Sequence, residues 1–121
     1  MMRDMDLVRQ IALEVADMPP QQQLASLDDV DPHLFAFHVA LMKEAGLVVA
    51  NIQEYLSGEA PRVRVVRLTW EGCEFVDAIK DDTLWAKAKT NVMQPAMSFT
   101  FEFLKDWLKT EISQGFPTLR V

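Results

Sequence analysis

Hydrophobic and polar positions alternate along the first two thirds of the chain in a pattern that predicts helices on either side of a β-hairpin. Apolar residues recur every three or four positions over residues 4–17, as on one face of an amphipathic helix, with Asp4 as its cap. Met18-Pro19-Pro20 ends that helix, because proline lacks the N–H donor. Asp31-Pro32 predicts the start of a second helix, and Gly46 is its expected left-handed C-cap.

Two β-rich segments follow this second helix. Residues 47–52 and 62–68 are rich in Val, Ile and Leu, which predicts two antiparallel strands joined by the long loop 53–61. Residues 21–27 fit either a short helix or a short edge strand of the same sheet, and we slightly favour the strand. The resulting order of helix, strand, loop, strand and helix is typical of a winged helix-turn-helix.

The third helix is expected to begin after Thr69 as N-cap, with Gly72 allowing a close crossing. Its predicted inward residues are Trp70, Cys73, Val76 and Ile79. Asp81-Asp82-Thr83 predicts a restart of the helix, and the apolar side of this next helix is formed by Leu84, Trp85, Ala88 and Val92.

The C-terminal part predicts a linker over residues 91–97, which contain Pro95, and a last helix from Ser98 to about residue 113. The predicted fold class is α+β, mainly α with a small antiparallel sheet. We expect a winged helix-turn-helix core over residues 1–80. Residues 81–121 would form a helical extension that packs on the core or makes a homodimer interface, since the last helix has more apolar surface than a small core needs.

One face of the second helix is expected to point outward. The other face has a broad apolar stripe, and the outward residues would be His33, Ala36, Ala40, Lys43 and Glu44. These residues offer few groups that can recognise a base edge, since alanine provides only methyl contact. A face of small residues suits packing against a protein equally well. The residues predicted for a partner interface are therefore Ala36, Ala40, Phe101, Leu104 and Leu108.

Composition indicates a globular protein, with 50% hydrophobic and 25% charged residues. No apolar run approaches the roughly 18 residues of a membrane span, and charges interrupt the first ten residues, where a signal peptide would be apolar. The single cysteine, Cys73, excludes an internal disulfide. We therefore expect a cytoplasmic protein that does not bind membranes.

Charge is distributed unevenly within a net charge of −6. Residues 1–30 contain two basic and six acidic residues, whereas residues 31–68 contain four of each. A nucleic-acid-binding domain usually has a basic excess, which here is confined to one strand with Arg62, Arg64 and Arg67. Two interpretations stay open for these arginines, namely phosphate contact or ordinary pairing with Glu54, Glu59 or the acidic first helix.

Residues capable of catalysis or metal binding are few. Cys73 is expected to be a small buried core residue, and only His33 and His38 could serve it as a base. The two histidines are five positions apart, whereas paired metal ligands on a helix favour spacings of three or four. His38 is expected to be a packed residue whose ring hydrogen-bonds locally. We therefore predict no enzyme activity, no metal and no cofactor.

Three stretches of the chain resemble an uncharacterised bacterial and phage family, domain of unknown function 2513. They are RDMDLVRQI near the N-terminus, FHVALMKEAGLV in the second helix and RLTWEGCEFVDAIKDDTLWAKAK after it. The resemblance extends to about Lys89. The chain departs from the family pattern at Phe37, where the family tends to tyrosine, and at Cys73, where it tends to histidine. The resemblance implies a winged-helix-like fold and a phage or prophage context, and it carries over no catalytic or binding residue.

These observations favour two functions. In the first, the protein is a DNA-binding regulator that contacts the major groove of duplex DNA through His33 and Lys43 and the phosphates through Arg62, Arg64 and Arg67. In the second, it is a protein-interaction module, such as a phage-encoded adaptor or inhibitor of a host protein. A contiguous positive face across Lys43, Arg62 and Arg64 would favour DNA, and a broken or acidic face would favour a protein.

Overall fold

The computed structural model describes residues 1–93 and 100–115, which form five α-helices and a two-stranded antiparallel sheet. This confirms the predicted α+β class. The elements in chain order are α1 (Met5–Asp17), α2 (Pro32–Glu44), β1 (Val48–Gln53), β2 (Arg62–Leu68), α3 (Trp70–Ile79), α4 (Asp82–Ala88) and α5 (Phe101–Gly115). A π-helical segment, Lys89–Met93, continues α4. The chain divides into two compact units, Met1–Val76 and Asp77–Val121.

The predicted caps of the first two helices are confirmed. The carboxylate of Asp4 accepts hydrogen bonds from the first turn of α1, and that of Asp31 accepts one from the backbone N–H of His33 at 2.7 Å. Gly46 ends α2 with a φ of 77°, and the N–H of Leu47 donates to the carbonyl of Met42 at 2.9 Å. This pattern is a Schellman motif, which satisfies carbonyls that the last turn would leave unpaired.

The segment between α1 and α2 contains no helix. Leu24 instead forms an isolated antiparallel bridge with Val65, through N–H to carbonyl bonds of 3.0 and 2.8 Å in the two directions. The edge strand favoured for residues 21–27 is therefore reduced to one bridged residue. The helix that usually precedes the recognition helix of a helix-turn-helix is absent from residues 18–31.

The hairpin packs its inner face on α1 and α2. Ala50, Val63 and Val65 are buried there, and their strand neighbours alternate to the outside. The register shifts between Val49 and Ala50, which leaves Val66 as an extra residue in β2. This bulge reverses the alternation, so that Arg67 is exposed where a regular strand would turn it inward.

Helix α3 is rotated differently from the prediction. Thr69 caps it as expected, since its hydroxyl accepts the N–H of Gly72 at 3.0 Å. A Cβ on Gly72 would overlap the carbonyl oxygen of Leu47, so the Gly72 side of the helix faces the core together with Phe75. The expectation that Trp70 and Cys73 point inward is wrong, because the helical period turns both away from Gly72.

Cys73 should consequently react with a thiol reagent in the folded protein. We expect a rate within about tenfold of the rate in denaturant, because the exposed sulfur needs no unfolding to meet the reagent. Stopped-flow titration with a chromogenic disulfide measures both rates on the same sample. A native rate that follows global unfolding would contradict the exposed position.

The second unit contains α4 and α5, which contact each other. Asp81 caps α4 through the N–H of Leu84 at 2.7 Å, as predicted, and the buried residues of α4 and the segment after it are Trp85, Ala88 and Val92. Residues 91–93 of the predicted linker are helical instead. The rest of that linker, the predicted helix start at Ser98 and residues 116–121 lie outside the described residues. Thr100 caps α5 by accepting the N–H of Phe103 at 3.1 Å.

None of the helices within the described ranges is long and apolar enough to cross a bilayer.

Candidate functional site

An open groove of about 440 Å³ lies between the end of α2 and the outer side of the hairpin. Its lining combines three basic residues with polar and apolar neighbours, namely Lys43, Asn51, Ile52, Gln53, Arg62 and Arg64. Three of the residues predicted to bind DNA, Lys43, Arg62 and Arg64, therefore meet in one concave surface.

Strand geometry positions the hairpin residues of this groove. Side chains two positions apart in a strand share a face, so Arg62 and Arg64 both point away from the core. The register pairs Arg62 with Gln53 and Arg64 with Asn51. Helix α2 packs on β1 and brings Lys43, in its last turn, to the same groove.

The groove is electrostatically uncompensated. No acidic residue of the described chain lines it, and Lys43, Arg62 and Arg64 have no ion pair with another described residue. Pairing of Arg62 and Arg64 with Glu54, Glu59 or α1, one of the two interpretations left open by the sequence, is not seen in the structure. Three cationic side chains without an ion-pair partner, gathered in a concave surface, favour an anionic ligand.

The other two predicted DNA contacts, His33 and Arg67, lie outside the groove. Arg67 is exposed, and its guanidinium donates to the carbonyl of Leu68 at 3.0 Å. His33 is exposed at the start of α2, with its Nε2 3.2 Å from the carbonyl of Gly58 and its Nδ1 3.8 Å from the carboxylate of Asp31. His33 therefore attaches the tip of the hairpin loop to α2.

The face of α2 expected to point outward is not as predicted. Ala36 is buried and Ala40 half-buried, so the expectation that Ala36 lines a partner surface is wrong. No residue of α2 between His33 and Lys43 is exposed. The reason is that the helix is apolar on nearly all sides, with half-buried residues opposite the buried ones, and a helix of that kind is enclosed by its surroundings.

The predicted interface residues of α5 also need correction. Leu104 and Leu108 are fully buried in this chain and have no surface to offer a partner. Phe101 is half-buried, with the Lys105 ammonium 5.3 Å from its ring centroid. Phe103 is the exposed aromatic residue of this helix, at 57%.

His38 is fully buried and hydrogen-bonded through both ring nitrogens. Its Nε2 accepts the backbone N–H of Asp4 at 2.8 Å, which requires the ring proton to sit on Nδ1, 2.9 Å from the carbonyl of Leu34. The predicted local bond of a packed histidine is confirmed. The bond to Asp4, 34 positions away, additionally joins the cap of α1 to α2.

Sequence reasoning missed three exposed residues with functional potential. Asn51 and Gln53 lie opposite the groove arginines, and the strand alternation that identified Arg62 and Arg64 would have identified them too. Trp70 is 81% exposed at the start of α3. Gly72 was the signal for the exposure of Trp70. A glycine at a close crossing marks the buried side of a helix, and Trp70 lies on the other side.

Within residues 1–93 and 100–115, no three His, Cys, Asp or Glu side chains come together in a way that could hold an ion.

The three stretches that resemble a known family contact one another in the fold. The N-terminal stretch meets the second through the bond from Asp4 to His38. The second meets the third where the hydroxyl of Thr69 donates to the carbonyl of Gly46 at 2.5 Å and where Gly72 approaches Leu47. These residues therefore stabilise the fold.

Comparison with known proteins includes all three stretches in one family match. Residues 2–98 match the family described as "Hypothetical protein (DUF2513)". An uncharacterised protein of Haemophilus influenzae is 29% identical over 117 residues, covering 94% of this chain and 98% of that protein. No solved structure matches. The family match spans all three stretches and their contacts, and the chain therefore belongs to the DUF2513 family.

Proposed function

We propose that this protein is a small regulator that binds duplex DNA, with Lys43, Arg62 and Arg64 contacting the phosphate backbone. The observation that supports the proposal is the groove in which these three cations converge, with no acidic residue of the described chain in its lining. Phosphate contacts by Lys and Arg supply most of the non-specific affinity for DNA. The net charge of −6 lies elsewhere in the chain, mainly in residues 1–30, so the groove is a local basic site on an acidic protein.

Salt dependence tests the proposal directly. Three phosphate contacts predict that log K falls with log salt concentration with a slope of about −3. Replacing both Arg62 and Arg64 with alanine should reduce that slope to about −1 and weaken binding to all sequences alike. Fluorescence anisotropy of a labelled duplex measures both the slope and the affinity. The range from 50 to 200 mM salt is suitable, because affinity from phosphate contacts falls steeply there.

Arg67→Ala is the matched control, because it removes the same charge from the same strand outside the groove. It should leave the slope within experimental error. Absence of duplex binding at the lowest salt, or an Arg67 effect equal to that of Arg62 and Arg64, would refute the proposed role of the groove.

A second candidate function is a protein-interaction module, which the exposure of Trp70 favours. Tryptophan is enriched among the residues that contribute most to protein interfaces. Burying the large apolar ring of Trp70 against a partner would remove it from water, which is energetically favourable. The exposed positions around it on α3 include Glu71 and Glu74, which suit a basic partner.

A comparison of two baits tests this candidate. Wild-type protein and Trp70→Ala would be used in parallel to capture partners from a bacterial lysate. A protein recovered by the first and lost by the second supports the interaction module. Equal recovery with both baits, or none with either, counts against it.

A further inference from the structure

We infer that the exposed face of the hairpin, and not helix α2, enters the major groove, with Asn51 and Gln53 recognising adenines. This inference rests on the proposed DNA binding and adds to it the element that determines sequence preference. The argument uses the shape of the hairpin, the chemistry of its outer residues and the state of α2.

The dimensions of the hairpin fit the DNA. The major groove accommodates a two-stranded β-ribbon as readily as an α-helix. Alternate residues of a strand are about 6.8 Å apart, which is close to two base-pair steps of about 3.4 Å. Asn51 and Gln53, which are alternate residues of β1, would therefore contact base pairs two steps apart.

The chemistry of the outer face suits direct recognition. Asn and Gln amides form paired hydrogen bonds with N6 and N7 of adenine, a pattern displayed only in the major groove. Each amide is paired with an arginine on the neighbouring strand. Asn51 lies beside Arg64, and Gln53 lies beside Arg62. The longer arginine side chains can reach the phosphates that border the groove while the shorter amides face the bases. The acidic residues of the loop, Glu54 and Glu59, are not among the residues that line the groove.

Helix α2 cannot provide equivalent contacts. It has no exposed residue between His33 and Lys43, so its central turns present no polar side chain to a base. His33 is already bonded to the carbonyl of Gly58. That bond and the bridge from Leu24 to Val65 hold the hairpin at its tip and along its edge. A ribbon fixed at two places loses little conformational entropy when it binds.

Selection from a random duplex library with the full-length chain tests the inference. We expect wild-type protein to enrich sites containing two adenines two base pairs apart. Asn51→Ala should abolish the preference at one of these positions and Gln53→Ala at the other, each reducing affinity for the selected site about tenfold. Gln10→Ala, an exposed amide on α1, is the matched control and should change neither preference.

The groove is tested with modified DNA. Replacing the two adenines by 7-deazaadenine removes an acceptor that faces only the major groove, and it should weaken wild-type binding about tenfold per position. At each position taken singly, the modification should have no further effect on the variant that lacks the amide facing that adenine.

The outcomes separate this inference from the proposed function. If wild-type protein binds no duplex at low salt, both are overturned. If it binds with the expected salt slope but without base preference, or if Asn51→Ala together with Gln53→Ala keeps the preference, only the hairpin inference is overturned. The substituted residues are exposed, so the variants should keep the thermal unfolding temperature of the wild type. An unchanged temperature shows that a lost base preference reflects recognition and not unfolding.

Discussion

Replacing Gly72 with alanine is expected to prevent stable folding or to destabilise the protein by at least about 3 kcal/mol, at the upper end of the cost of overpacking. The added Cβ would overlap the carbonyl oxygen of Leu47 and lie 3.0 Å from its carbon and 3.2 Å from the Cβ of Leu68. Backbone atoms cannot move aside as a flexible side chain can. Relief would require α3 to move away from the chain that leads from α2 into β1.

Gly58→Ala is the matched control for this experiment. Gly58 has a φ of 84°, so alanine is strained there, but no atom lies within 4 Å of its new Cβ. The expected cost is about 1 kcal/mol from the left-handed backbone alone. Urea unfolding of both variants, followed by circular dichroism, gives the two free energies. Equal destabilisation would show that the close approach at Gly72 has no special importance.

His38→Leu should destabilise the fold by about 2–3 kcal/mol. Leucine fills much of the buried volume, but it leaves the N–H of Asp4 without an acceptor at the cap of α1. The carbonyl of Leu34 keeps its helical partner, so the loss comes mainly from one unsatisfied donor and the altered shape. Unfolding in urea measures the change in free energy.

Hydrogen exchange locates the effect of this substitution. The Asp4 amide should lose its protection in His38→Leu while the amides in the middle of α1 keep theirs, because only the cap is affected. His33→Leu is the control at an exposed histidine and is expected to cost less than about 1 kcal/mol. An unchanged Asp4 exchange rate would argue that the bond between the two segments is unimportant.

Local signals in the sequence were sufficient for the ends of the elements. Asp4, Asp31, Thr69 and Asp81 act as caps, and Gly46 adopts the left-handed conformation, because each of these depends on residues within one turn. The sequence left open whether Lys43, Arg62 and Arg64 form one contiguous face. The structure brings them to one groove, through the hairpin pairing and the position of Lys43 at the end of α2.

The rotation of helices was harder to predict. Helix α2 is apolar around most of its circumference, so the pattern does not specify which side is buried, and Ala36 was placed on the wrong face. In α3 the large apolar side chain of Trp70 suggests an inward position, but the backbone contact at Gly72 fixes the rotation that turns Trp70 outward. The burial of Leu104 and Leu108 depends on packing within the second unit, which periodicity alone cannot distinguish from an exposed stripe.

The two ends of the hairpin are joined at its base, where Thr69 bonds to Leu47 through its N–H at 3.0 Å and to Gly46 through its hydroxyl. The hairpin therefore begins and ends at the same place in the fold. Changes of length between Glu54 and Pro61 would alter the loop and its bond from Gly58 to His33 but not the base of the hairpin, at an entropic cost that grows slowly with length. This makes the hairpin tip a suitable site for inserting a reporter peptide, since the base that holds both strands would stay intact.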